Sequence, residues 1–122
     1  MNVQEWKELI HGLPCVVCFL QTGERRHGVH GHHLESVRDE LSDWLMVPLC
    51  DDHHNPMKPN SIHALSRRGF YTRYNLDDLS LIACTIKLAM NSRTAREQGE
   101  INLRNAMIEA LVRSKIDTGT DD

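Results

Sequence analysis

Two histidine-rich segments and one cysteine pair hold most of the side chains in this 122-residue chain that could bind a metal ion. Four of the eight histidines fall within the seven residues 27–33. A second segment contains Cys50 and the adjacent pair His53–His54, and a Cys-x-x-Cys motif lies upstream at Cys15 and Cys18. Thiolates and imidazoles are ligands that transition metals prefer. Core packing explains such clustering poorly, so the sequence predicts metal chemistry in the first half of the chain.

The cysteines predict a structural zinc site. Structural zinc takes four thiolate or imidazole ligands, usually from two short motifs. Cys15-x-x-Cys18 provides one motif, and Cys50-x-x-His53 provides the other with the same spacing. A small domain often needs such a metal to complete its core. The alternatives are a thioredoxin-like redox pair, whose βαβ context is not seen here, and cysteines that are simply buried. Cys84 lies within an apolar helical pattern and is interpreted as a core residue.

The paired histidines predict a second metal site. If His53 binds zinc, the adjacent His54 points elsewhere, and His32 and His33 face opposite sides of a strand. One member of each pair can therefore converge on a second ion. A phosphodiester hydrolase needs a divalent cation at the scissile phosphate and a general base for the attacking water. An imidazole has a suitable pKa for that base near neutral pH.

Hydrophobic periodicity and chain breakers predict the elements that position these ligands. In the first half we expect a helix over 2–11, a turn over 14–18, a short strand over 19–21, an extended run over 27–34, a loop or irregular helix over 35–43 and a second strand over 44–49. In the second half we expect a helix over 62–74, a helix starting at Asn75 or Asp77, a last helix over 101–115 and a frayed tail over 118–122. Ser61 is expected to cap the helix over 62–74, and Gly69 to weaken it. The helix that follows Asn75 or Asp77 is expected to turn an apolar stripe inward, formed by Leu76, Leu79, Ile82, Ile86, Leu88 and Met90. These elements predict an α+β domain.

The charge pattern permits only a local basic face. The net charge of −3 lacks the overall basic character of a nucleic-acid binder, but no acidic residue lies between positions 53 and 76. The residues expected to contact phosphate are Arg25, Arg26, Lys58, Arg67, Arg68 and Arg73. The tyrosines of the same helix could stack on exposed bases, whereas Phe70 is expected in the core. No signal peptide and no membrane-length apolar run are present, which predicts a cytoplasmic protein without a membrane partner.

These motifs resemble those of the HNH branch of the ββα-metal, or His-Me finger, nucleases. The resemblance rests on Cys-x-x-Cys, on a His-His-Leu that ends the first strand, and on Leu-Cys-x-x-(Cys/His)-His-Asn before a helix. Within that branch, the segments 31–34 (Gly-His-His-Leu) and 47–54 (Val-Pro-Leu-Cys-x-x-His-His) are most similar to the Ref-type recombination-enhancement nucleases of bacteriophages and prophages. The resemblance covers residues 14–76. It implies a zinc-stapled ββα-metal finger, a two-stranded hairpin plus helix, with an N-terminal helix and C-terminal helices.

The resemblance also implies a role for each matched residue. His33 would be the general base that polarises the attacking water. His32 and His54 would bind a catalytic Mg²⁺ or Mn²⁺. The family's third functional position has no direct counterpart here. His63, nine positions after His54, and His30, on the same strand face as His32, are the two candidates to complete the ion's shell.

The implied organisation has two parts. Residues 1–76 would form the zinc-stapled nuclease finger with its N-terminal helix, and 77–117 a helical extension that either packs on the finger or forms a partner or dimer surface. The resemblance implies a DNA endonuclease or nickase in phage DNA recombination or processing, with DNA and a recombinase or other DNA-processing protein as partners. Asn55 is expected to orient His33 or the adjoining loop. The alternatives are a zinc-finger binding module without catalysis and a metalloregulator.

Overall fold

The computed structural model describes residues 2–34, 40–92 and 108–109. In its first two ranges the chain forms a two-stranded antiparallel hairpin and five α-helices, which confirms the α+β class. The elements are α1 (Val3–Gly12), α2 (Val16–Thr22), β1 (Val29–His33), a 3-10 segment (Glu40–Leu45), β2 (Met46–Cys50), α3 (Asp51–His54), α4 (Ile62–Tyr74) and α5 (Asp78–Met90). Apart from 108–109, which are helical, the helix expected over 101–115 lies outside the described residues, as does the tail over 118–122.

The hairpin places the histidines of β1. The register of the antiparallel pair sets His33 opposite Met46. All of β2 is buried, whereas β1 exposes His30 and His33 and buries His32. This confirms that His32 and His33 face opposite sides. A Cβ at Gly31 would lie 2.0 Å from the terminal methyl of Met46, so glycine at this position allows the Met46 side chain to approach the β1 backbone closely.

The local structure differs from the prediction at α2 and at the start of β2. The expected strand over 19–21 lies inside α2, because a helix starts within the Cys-x-x-Cys motif and continues through the apolar residues after it. A short apolar run fits a helix and a strand equally well. The second strand starts at Met46 and not at Trp44, because Trp44 belongs to the 3-10 segment. There it stacks on Trp6 of α1, with the ring centroids 6.4 Å apart.

The helix α4 begins as predicted but breaks at a different residue. The Ser61 side chain accepts a hydrogen bond from the Ala64 backbone N–H, as an N-cap should. Gly69 is helical, and the non-helical residue is Ser66, with φ 66° and ψ 163°. The Ser66 hydroxyl in turn accepts from the Gly69 N–H at 3.4 Å. A serine hydroxyl therefore accepts a backbone hydrogen bond at the start of each of the two parts of α4.

The helix α5 starts at the second of its two predicted caps. Asp77 and Ser80 form a reciprocal capping box. The expected apolar stripe is partly wrong, because Leu79 is 46% exposed while Leu81 is fully buried. The buried face of α5 consists of Leu81, Ile82, Cys84, Thr85, Leu88 and Ala89. Cys84 is thus a core residue, as expected.

The core lies where α1, the hairpin and α5 meet. α1 packs across both strands, and α5 packs against α2 and β2. The largest fully buried side chains are Trp6, Phe70, Ile10, Leu34, Leu45, Leu49, Leu81, Ile82, Val16 and Val17. Among the described residues, none of the helices has the length and apolar character needed to cross a membrane.

Candidate metal centres

The first candidate centre, here called the cysteine cluster, consists of Cys15, Cys18, Cys50 and His53. One ligand atom from each lies within 4.8 Å of the others. The Sγ atoms of Cys18 and Cys50 are 3.8 Å apart, and His53 Nδ1 lies 3.6 Å from Cys18 Sγ. A tetrahedral ion with metal–sulfur bonds of about 2.3 Å separates its sulfur ligands by roughly 3.8 Å. The donor set and spacing fit a four-coordinate structural metal such as zinc.

The two halves of the cysteine cluster are built alike. Cys15 immediately precedes α2, and Cys18 lies in the first turn of that helix. Cys50 immediately precedes α3, and His53 lies in its first turn. The turn expected over 14–18 is therefore the start of a helix. Helix N-termini stabilise negative charge, which suits thiolate ligands.

The electrostatics of the cysteine cluster favour a bound cation. Burial raises the pKa of the Cys15 thiol, against backbone hydrogen bonds from Cys18 and Cys50 that favour its thiolate. Burial, and then the neighbouring thiols, raise the pKa of Cys18. Burial lowers the pKa of His53, so this imidazole is neutral at neutral pH. Thiols packed in this way lose their protons when a metal ion supplies the compensating charge.

The second candidate centre, here called the histidine cluster, consists of His32, His54 and His63. Their ligand nitrogens all lie within 4.8 Å of one another. The Nε2 atoms of His54 and His63 are 3.3 Å apart, close to the spacing of two nitrogens bound to one ion at about 2.0–2.1 Å. His32 is 4% exposed, His54 is half-buried and His63 is exposed. The cluster is thus closed on the β1 side and open to solvent at α4.

The two candidates for the third ligand have different positions. His63 comes from the first turn of α4 and joins the histidine cluster. His30 lies beside the cluster: its ring stacks on that of His54, with centroids 5.1 Å apart. Its Nε2 is 3.8 Å from Asp51 Oδ1, and the side chain is exposed. The structure therefore brings His63, and not His30, into the ligand set.

The histidine cluster is electrostatically suited to a cation. Burial, and then repulsion from protonated His54 and His63, lower the pKa of His32 to about 4. The pKa of His54 is also lowered, by burial and then by His63 and His30. Neutral imidazoles offer lone pairs, so this crowding favours the form that binds metal.

His33 lies outside the histidine cluster, on the exposed face of β1. Its Nε2 is 2.8 Å from Asp43 Oδ1, and that carboxylate is also 3.6 Å from Lys7 Nζ. Of its two expected roles, Asn55 orients the adjoining loop and not His33: its Nδ2 donates to Asp51 at 3.1 Å, and its Oδ1 accepts from the Met57 backbone N–H at 2.9 Å. Sequence reasoning missed Asp43. No local spacing could identify it, because ten positions separate it from His33 and the contact depends on the fold of the 3-10 segment.

The basic residues near α3 are partly neutralised by acids. Arg26 forms an exposed ion pair with Asp52 at 2.7 Å, which raises the pKa of the Arg26 guanidinium and lowers that of the Asp52 carboxyl. Lys58 Nζ lies 3.9 Å from Asp51 Oδ2 and 4.0 Å from Asp52 Oδ1. The guanidinium of Arg25 lies over the Phe19 ring, 5.2 Å from its centroid.

The arginines of α4 have three different environments. Arg67 pairs with Asp78 at 2.7 Å, and the same carboxylate accepts from the Tyr71 hydroxyl. Arg73 donates to the side-chain oxygen of Asn60. Arg68 is exposed. The segment without acidic residues, which suggested a basic face, ends at position 76. Asp78, two positions later, contacts Arg67 of that segment.

Comparison with known proteins provides no relative from which a function could be transferred. No protein-family model, no curated protein and no solved structure matches the chain. The two ligand clusters and their surroundings are therefore the features of this chain that bear on its function.

Proposed function

We propose that this protein is a divalent-metal-dependent DNA endonuclease or nickase of the HNH type, built on a zinc-stapled ββα-metal finger. The observation that carries the proposal is the convergence of His32, His54 and His63 at the surface, directly beside the cysteine cluster. Four enclosed ligands are typical of a structural zinc, whereas three ligands with an open side are typical of a catalytic ion. The hairpin β1–β2 and the helices α3 and α4 after it support the finger, since they supply the whole histidine cluster and two ligands of the cysteine cluster, while the start of α2 before the hairpin supplies the other two.

The donor set argues for Mn²⁺ over Mg²⁺ in the histidine cluster. Mg²⁺ prefers oxygen ligands and keeps several waters, while imidazole suits transition metals. The cluster offers nitrogen alone. When bound, such an ion supplies positive charge that stabilises the developing charge on the phosphate and on the leaving oxygen.

His33 acts in this proposal as the general base. It is exposed, and it directly follows the ligand His32 along the chain. With Nε2 held by Asp43, the free ring nitrogen Nδ1 is the one that accepts the proton from water. DNA docked at the end of β1 would meet the exposed His33, one residue along the chain from His32 of the histidine cluster.

The ion pairs within the chain reduce the number of basic side chains that we propose as DNA contacts. Arg26 and Arg67 are paired with acids within the chain, so their net attraction for phosphate is reduced. Arg25, Arg68 and Arg73 have no acidic partner among the described ion pairs, and Lys58 lies next to α3 at longer distances from its acids. We propose that these four provide the phosphate contacts. A role in phage recombination, with a recombinase as partner, rests on the motif resemblance alone.

The variant His33→Ala tests the general base. We expect the rate of plasmid nicking in Mn²⁺ to fall about 10²–10⁴-fold, because the attacking water loses its proton acceptor. Zinc content and Tm should stay at wild-type values, since His33 is exposed. His27→Ala, another exposed histidine outside both clusters, is the matched control and should cleave normally. If the wild-type protein cuts neither DNA nor RNA with Mg²⁺, Mn²⁺ or other divalent ions, the binding-module alternative replaces the nuclease.

A further inference from the structure

Asp43, in the 3-10 segment between the strands, is the carboxylate that contacts His33. Its Oδ1 lies 2.8 Å from His33 Nε2 and 3.6 Å from Lys7 Nζ on α1. The Lys7 ammonium, the Asp43 carboxylate and the His33 imidazole therefore form a continuous series of polar contacts. The series ends at His33, the last residue of β1.

The residues next to Asp43 anchor it to the core. Trp44 stacks on Trp6 of α1 with an interplanar angle of 23°, and Trp6 is fully buried. Leu45 is fully buried as well. Asp43 is thus placed by packed neighbours, unlike a mobile surface carboxylate. The hydrogen bond to His33, and then Lys7, hold the pKa of Asp43 below its usual range, so it remains an ionised acceptor at neutral pH.

We propose that Asp43 is a positioning residue, which fixes the ring orientation and tautomer of His33 through the contact at Nε2. An ionised carboxylate can only accept, so Nε2 must carry the hydrogen, and Nδ1 then presents its lone pair to the attacking water. A carboxylate plays the same part toward the histidine of serine hydrolases. α1 takes part through Lys7 and Trp6, so the N-terminal helix supports the active site as well as the core. This inference rests on the proposed function.

The kinetic test compares three substitutions of Asp43 in the zinc-loaded protein. Asp43→Ala should lower kcat for nicking of a DNA duplex in Mn²⁺ by about 10–100-fold, with KM within about twofold, because only the base loses its support. Asp43→Glu should recover most of kcat, and Asp43→Asn should not, since its amide can also donate to Nε2 and select the other tautomer. The matched control is Glu8→Gln, which removes one exposed negative charge from α1 and should leave kcat unchanged.

A spectroscopic readout tests the contact without relying on turnover. Nitrogen-15 NMR of the His33 ring should show a hydrogen on Nε2 that exchanges slowly in wild type and Asp43→Glu, and rapidly in Asp43→Ala. A hydrogen on Nδ1 in the wild-type protein, or wild-type kcat for Asp43→Ala, would overturn the inference. If wild type and Asp43→Ala both cleave while His33→Ala does not, only this inference fails. If the wild type cleaves nothing, the proposed function fails first.

Discussion

The cysteine cluster and the histidine cluster use neighbouring residues but differ in how far they are enclosed. Cys15, Cys18 and Cys50 are all buried, whereas only one residue of the histidine cluster is. A set of four ligands fills a tetrahedral shell and leaves no position for water or substrate, whereas a set of three at the surface leaves one. Ligand number and enclosure, more than the presence of histidine, are thus the features that distinguish a set of ligands suited to a structural ion from one suited to an ion with an open position.

Two helices serve both clusters. In α3, His53 belongs to the cysteine cluster and His54 to the histidine cluster. In α4, His63 lies before the break and faces the histidine cluster. After the break, Phe70 and Tyr74 pack edge-on against His53, with ring centroids 6.1 and 5.4 Å from its own. The clusters are therefore mechanically connected although they share no ligand.

Removing a thiolate from the cysteine cluster should have the largest effect. Cys50→Ser should lose zinc and unfold, because structural zinc contributes on the order of 10 kcal/mol to small domains. Metal analysis and a thermal melt followed by circular dichroism measure both consequences. Cys84→Ser is the matched control, since Cys84 is buried in α5 outside the cluster and its change should leave zinc bound. A Cys50→Ser protein that melts like wild type would show that the enclosed cluster does not hold the fold.

Removing a ligand from the histidine cluster should impair activity and leave the fold intact. His63→Ala should reduce Mn²⁺ affinity and nicking by about 100-fold or more, because one of three ligands is lost. Since His63 is exposed, Tm and zinc content should stay close to wild type. Calorimetric titration of the zinc-loaded protein with Mn²⁺ is the measurement. His30→Ala is the comparison variant and should keep its Mn²⁺ affinity; the reverse pattern would make His30 the ligand.

Relieving strain at the break in α4 should have the smallest effect. Ser66 has φ 66°, a backbone region that glycine adopts far more easily than serine. Ser66→Gly should raise the free energy of unfolding by about 1 kcal/mol, as relieved strain outweighs the weak bond to Gly69. Ser66→Ala keeps the strain and loses the hydroxyl, so it should not be stabilised. Urea unfolding midpoints distinguish the two variants, and equal midpoints would argue against strain at this residue.

The candidate ligands of the cysteine cluster and the helix caps were predictable because they depend on local spacing. Only two residues separate Cys15 from Cys18, and Cys50 from His53, so the members of each pair lie close together in a turn as well as in the helical starts that the structure has. Ser61 satisfies backbone donors that the helix itself leaves free, so it also acts locally.

The features that sequence reasoning missed depend on tertiary contacts. Asp43 meets His33 only because the 3-10 segment packs on α1. The break at Ser66 has no signal in the sequence, where Gly69 was the obvious breaker. Leu79 points outward because the packing of α5 on α2 and β2 sets which stripe is buried. A hydrophobic pattern predicts the spacing of buried residues along a helix more reliably than it predicts which side of the helix is buried.

His53 and His54 are adjacent in α3, so each cluster takes one ligand from the same short helix. An ion in the cysteine cluster would tie α3 to α2 and thereby restrain His54 next to His32 and His63. Loading of one ion should therefore raise the affinity for the other, a positive coupling between sites without a common ligand. On the proposed function, a chain without zinc would bind its second ion weakly, so zinc supply would control when DNA could be cut.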